Sequence, residues 1–113
     1  MGKLKSSLRE KEFKGVRLPE QALEAIKELL LKHFGTGVRV WIFGSRADLN
    51  ARGGDIDIYV EVEKIEKAFS KKLNFLVELD KKIGEQKVDL VVRTYNCNEP
   101  IALKAKGEGV RII

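Results

Sequence analysis

Three acidic residues and one glycine turn are the positions whose types and spacing could do chemistry. Asp55 and Asp57 stand two apart in DIDIYVEV, Asp89 interrupts the apolar run VDLVV, and Gly44-Ser45-Arg46 follows the apolar run VRVWIF. Residues i and i+2 of a strand project to one side, so the Asp55 and Asp57 carboxylates lie next to each other. They repel unless a cation stands between them. Oxygen ligands without histidine suit Mg²⁺, which keeps waters and completes its shell with substrate phosphates. Two such ions about 3.5–4 Å apart clamp the attacking and leaving oxygens of an in-line phosphoryl displacement. The glycine turn reads as a phosphate cradle: Gly44 lets the backbone come close, Ser45 offers a hydroxyl and an amide, and Arg46 adds charge. Gly53 and Gly54 relax the loop that delivers Asp55.

Each feature also has a plainer reading. A strand with a wet face carries polar residues at alternate positions, and Glu61 and Glu63 continue the series. Asp89 in a core strand is costly unless paired or coordinated, and a nearby Lys or Arg could be that pair. A Gly-Ser pair is an ordinary strand terminator, and Gly53-Gly54 an ordinary tight turn. Competing motifs fail, because there is no Gly-Lys-Ser/Thr of a P-loop, no GxGxxG after a strand and no GxSxG elbow around Ser45. His33 and Cys97 are each the sole residue of their type, which excludes an internal disulfide and a Cys/His zinc cluster. His33 falls at a helix end, where a dipole-stabilised or packed imidazole is the ordinary role. Trp41 and Phe43 read as core.

Residues of this kind need a scaffold, and the periodicity supplies one. Pro19–Phe34 places Ala22, Leu23, Ile26, Leu29 and Leu30 on one helical stripe, with Gly35 and Gly37 as the stop. Val38–Phe43 is a β-branched and aromatic run, and Asp55–Val62 alternates strictly, so both read as strands. Helical spacing returns from Ile65 to Ile83 through Phe69, Leu73, Leu76 and Leu79. A third strand spans Lys87–Thr94, a short helix Pro100–Gly107, and an edge strand Val110–Ile113. The order predicts an α+β fold, a small mixed β-sheet with helices packed on one face.

At 113 residues the chain has one core. Hydrophobic residues at 43% exclude disorder of the whole chain, and no apolar run approaches the roughly 18 residues that cross a bilayer. No apolar signal core opens the sequence, so a cytoplasmic protein is expected. The net charge of +5 favours phosphate-bearing partners. Four of those five charges fall in residues 1–17, where Lys3, Lys5, Arg9, Lys11, Lys14 and Arg17 face only Glu10 and Glu12. Residues 1–17 are thus a basic tail or strap ahead of a domain at 18–113, either solvated or touching a partner. A role in nucleic-acid binding would rest on this segment alone.

The string GSRADLNARGGDIDIYV, followed by a helix and KVDLVV, resembles the nucleotidyltransferases of the DNA polymerase beta superfamily. Their mark is Gly-Ser, about ten residues, Asp-x-Asp and a third carboxylate on a later strand. The small size and the ending EPIALKAKGEGVRII resemble the minimal nucleotidyltransferase (MNT) branch. The resemblance implies that Gly44 and Ser45 hold a nucleotide triphosphate, ATP or another NTP. It further implies that Asp55 and Asp57 bind two Mg²⁺, and that Asp89 binds one of them and helps deprotonate an acceptor hydroxyl. Gly54 departs from the pattern, since many members have Ser before the first Asp. Relatives of this size resemble the antitoxin of a two-gene toxin–antitoxin pair, whose MNT protein silences a helical HEPN ribonuclease toxin by adding AMP to a tyrosine. A catalytically idle module that neutralises a partner by contact is the alternative, and self-association or a hetero-oligomer is compatible with either.

Overall fold

The computed structural model describes residues 15–51 and 53–113. Helix α1 (Glu20–Phe34) leads to β1 (Arg39–Phe43), a 3₁₀ turn (Gly44–Ala47) and β2 (Ile56–Val62). Helix α2 (Ala68–Ile83), β3 (Val88–Thr94), α3 (Pro100–Glu108) and β4 (Val110–Arg111) follow. The strands form one mixed sheet in the order β3-β2-β1-β4. β2 and β3 run parallel, and β1 is antiparallel to both β2 and β4. This is the expected α+β fold with a small mixed sheet.

Strand parity decides what each face of the sheet does. Ile56, Ile58, Val60 and Val62 of β2, with Val40 and Ile42 of β1, point to the side covered by α1 and α2. There they meet Leu23, Ile26, Leu29, Leu30, Phe75 and Leu79, each 2% exposed or less. Burying a side chain of this size contributes about 1.5–3 kcal/mol. The two long helices therefore share one face, as the sequence predicts. The short α3 departs from that expectation and lies on the opposite face, where Ala102 and Ala105 seat on Trp41, Phe43 and Tyr59. The physical reason is that the aromatic residues at the odd positions of β1 and β2 make the second face apolar too. That face needs a cover of its own.

Element boundaries shift by one to three residues from the sequence reading, with β2 starting at Ile56 rather than Asp55 and β4 ending at Arg111 rather than Ile113. α2 begins at Ala68 rather than Ile65, because Lys67 takes a left-handed conformation (φ 49°) that the helix cannot continue through. Of its apolar residues, Phe75 and Leu79 face the core, while Phe69 (73% exposed), Leu73 and Val77 face outward. α3 runs through Gly107 and ends at Glu108, with the Gly109 N–H bonded to the Ala105 carbonyl. Lys3, Lys5, Arg9, Lys11 and Lys14 of the expected basic strap lie outside the described residues. Where the description begins, Val16 is buried and packs on the core.

A buried ionic cluster fastens α3 to the sheet. Glu61, 1% exposed, accepts hydrogen bonds from Lys106 Nζ at 2.7 Å, the Tyr59 hydroxyl at 2.8 Å and the Asn96 amide at 3.2 Å. Burial alone would raise its pKa, but the Lys106, Tyr59 and Asn96 donors outweigh burial and hold the carboxyl below the ordinary range. Burial and the bond to Glu61 keep the Tyr59 hydroxyl protonated far above its usual pKa.

A carboxyl with a depressed folded-state pKa contributes stability above its unfolded value, about 4.3, and loses that contribution as pH falls through the folded value. Glu61→Gln should therefore lower stability by roughly 3 kcal/mol at pH 7, because Lys106 is left partly buried without a counterion. It should also flatten the loss of stability below pH ~4. Chemical denaturation of parent and variant across that range measures both effects.

Candidate active site

Asp55, Asp57 and Asp89 come together through the pairing of β2 with β3. In the parallel register Asp57 stands opposite Asp89, so the two side chains leave the same face of neighbouring strands about 4.8 Å apart. Asp55 precedes β2 by one residue, and the Ile56 amide, bonded to the Lys87 carbonyl at 2.9 Å, extends the ladder to it. Its carboxylate lies 3.6 Å from Lys87 Nζ. Burial lifts the Asp57 carboxyl above the usual carboxylate range, and the charges of Asp89 and Asp55 lift it further. Lys104 draws it part of the way back.

The sequence places Asp89 in a core strand, and the structure corrects this. β3 is an outer strand of the sheet among the described residues, only Leu90 in it is buried, and Asp89 is exposed. Register rather than burial makes Asp89 part of the cluster. Its exposure leaves it open to an incoming group.

The glycine turn closes one side. Gly44, directly after β1, adopts φ 72°, and a Cβ there would collide with Asp57 Oδ2. Only glycine lets the turn lie this close to the carboxylate. Ser45 Oγ donates to the Asp55 carbonyl at 3.5 Å, and it occupies the space that a Cβ on Gly54 (φ 94°) would need. The glycine before the first Asp is thus matched to the position of Ser45. Arg46 donates from Nη1 to the Arg17 carbonyl at 3.1 Å, and its buried Nε has no hydrogen-bond partner among the described residues.

Arg17 is the residue that sequence reasoning missed. Its guanidinium donates to the carbonyls of Ser45 (3.2 Å), Asp48 (3.3 Å) and Gly53, and its amide bonds the Arg46 carbonyl. One side chain therefore ties both ends of the loop between β1 and β2. Contacts to backbone carbonyls some thirty residues away leave no local signal in sequence, where Arg17 is simply one more basic residue.

The donor set suits a hard cation. Oxygen ligands dominate and no histidine is near, since His33 is bonded to Glu78 at 2.8 Å on the helical side. Among the described residues no three acidic, histidine or cysteine side chains already converge as a closed cage. A cleft of about 700 Å³ lies on the helical side instead, lined by Glu20, Glu24, Glu28 and Lys82, away from these acids. Among the described residues no helix is long and apolar enough to cross a membrane.

A family model described as polymerase beta, nucleotidyltransferase matches residues 24–113. No curated protein matches the chain. Arg17 lies outside the matched stretch yet holds the loop within it. Arg17→Met should cost about 1–2 kcal/mol, as hydrogen bonds from a charged group to half-exposed carbonyls are lost. Hydrogen exchange should speed up across residues 44–54 and remain slow in α1. Exchange mass spectrometry reads both regions in one experiment.

Proposed function

The chain belongs to the polymerase beta nucleotidyltransferase family, and on that footing we propose that it transfers AMP from ATP to a hydroxyl of a partner protein. The observation that carries this reading is the set of Asp57 and Asp89 in register on adjacent strands, Asp55 beside them and the Gly44 turn against Asp57. Asp55, Asp57 and Asp89 would hold Mg²⁺, two ions in the full arrangement. The bound metal supplies charge neutralisation of the phosphates and of the developing pyrophosphate.

The rest falls to the protein's own groups. Gly44 and Ser45 present backbone and hydroxyl to the triphosphate, with Arg46 beside them on the turn. The acceptor oxygen forms a bond to the α-phosphorus while the bond from that phosphorus to the bridging oxygen breaks, and pyrophosphate leaves. Asp89, exposed at the outer strand, takes the acceptor's proton. The buried Tyr59–Glu61–Lys106 cluster keeps the neighbouring part of this face rigid, so the acids stay in place.

Phe69, Leu73 and Val77 on the outer side of α2 support a protein as the acceptor, since exposed apolar residues grouped on one helix favour protein contact. In the fuller form of this proposal the partner is a HEPN-type ribonuclease toxin and this chain its antitoxin. The same apolar stripe would also serve a module that neutralises its partner by contact alone, and two variants separate the readings.

Asp55→Asn with Asp57→Asn should abolish transfer and leave the melting temperature unchanged or raised, because the repulsion at Asp57 is relieved. A double variant melting well below the parent would mark the acids as structural instead. Asp89→Asn should lower transfer by at least ~10²-fold while the partner still binds. Intact-mass spectrometry of the partner with Mg²⁺ and ATP reads each transferred AMP directly. A partner left unmodified yet silenced by parent and variant alike would establish the contact mechanism.

A further inference from the structure

α3 carries a lysine with no place in the scheme so far. The helix is seated by Ala102 and Ala105, and Lys104 and Lys106 are two apart, which puts them about 200° apart around its axis. They must project to opposite flanks. Lys106 reaches Glu61, at the far end of β2 from Asp57 on the same face. Lys104 therefore leaves by the other flank, toward Asp57, and this is the cation whose charge the Asp57 carboxyl feels.

Among the described residues the other cations of this face are engaged. Lys106 is held by Glu61 and the Cys97 carbonyl, Arg93 by Glu99, and Arg46 by the Arg17 carbonyl. Arg111 stacks over Trp41 at 5.4 Å and bonds the Ile113 carbonyl, and Lys87 pairs with Asp55. Lys104 is exposed and makes no hydrogen bond or ion pair within 4.0 Å among the described residues. An ammonium on a long flexible stem, near acids but bonded to none, can change partner without breaking a contact. Two divalent ions do not balance three carboxylates and a triphosphate together, so further positive charge is needed when a nucleotide arrives.

We infer that Lys104 is a phosphate-binding residue of this site, balancing the aspartates in the free protein and holding the phosphate chain of the nucleotide when it binds. This rests on the nucleotide-transfer reading above and adds a ligand to it from α3, an element that otherwise only covers the sheet. The shape of the side chain matters less than its charge, so arginine should replace it and methionine should not.

Calorimetry of the full chain with Mg·ATP and with Mg·tripolyphosphate tests the assignment in parent, Lys104→Met and Lys104→Arg. Lys104→Met should weaken both ligands at least about tenfold, the scale of a lost charge-assisted hydrogen bond, and Lys104→Arg should recover most of it. Its thermal melt should match the parent, since the residue is exposed. If the parent binds both and Lys104→Met binds them equally well, the assignment is wrong and the site reading stands. If ATP weakens but tripolyphosphate does not, Lys104 contacts the nucleoside and the phosphate role is overturned. If the parent binds neither ligand with Mg²⁺, the nucleotide reading falls and this inference falls with it.

Discussion

Asp57 is held in a place that electrostatics disfavours, partly buried with Asp89 beside it on the next strand and Asp55 two residues back. A fold gains nothing from such crowding and must restrain it. The restraint comes from the dry side of the sheet, where β2 and β3 are locked in register by Ile56, Ile58, Val60 and Leu90 against the long helices. A slip of one residue would send those side chains to the wet face and Asp57 into the core. The register that buries the hydrophobic residues is thus the one that assembles the acids. Stability and site geometry cannot be varied independently here.

On the other face rigidity has a polar origin. Glu61 is satisfied by three donors from β2, α3 and the turn after β3, so one carboxylate joins three parts of the chain. Arg17 does the converse, with one guanidinium gathering carbonyls from several points of the loop between β1 and β2. Between these two hubs lie the glycine turn and the acids. Hydrogen bonds to charged groups contribute about 1.5–3 kcal/mol each where well shielded, enough to fix a loop that has few apolar anchors.

Much of this was legible in the sequence wherever a signal is local. The alternation in DIDIYVEV marks β2 and its two faces, the spacing of Leu23, Ile26, Leu29 and Leu30 marks α1, and the turn residues bracket both. The long helices' shared face follows from their stripes. α3 carries no such stripe, because alanines are its buried residues and their small side chains look neutral in any pattern. Its place opposite the long helices depends on Trp41, Phe43 and Tyr59 all emerging on one side, which requires knowing how β1 pairs with β2. Asp89 was misjudged for a related reason: VDLVV reads as interior, yet strand order puts it at the outside, and order is not encoded in composition. In α2 the apolar residues cover more than half the circumference, so periodicity alone could not tell Phe75, which is buried, from Phe69, which is not. For the acids, the sequence puts Asp55 and Asp57 two apart on one strand and Asp89 on another, whereas Asp55 stands one residue ahead of β2. Their meeting across β2 and β3 is a property of pairing.

The position of β3 has a consequence for behaviour in concentrated solution. Among the described residues it forms one margin of the sheet, and a margin seven residues long with free amides and carbonyls is a template for another strand. The opposite margin, β4, is only two residues long and offers little to pair with. β3 carries Asp89 and Arg93 on one face of the strand, so a parallel neighbour of the same kind would set like charges side by side, whereas an antiparallel one centred on Val91 would set Asp89 against Arg93. Charge on this margin therefore disfavours parallel stacking of copies and leaves antiparallel pairing open. Asp89, proposed above as a site residue, thus also bears on how two copies of the sheet can meet.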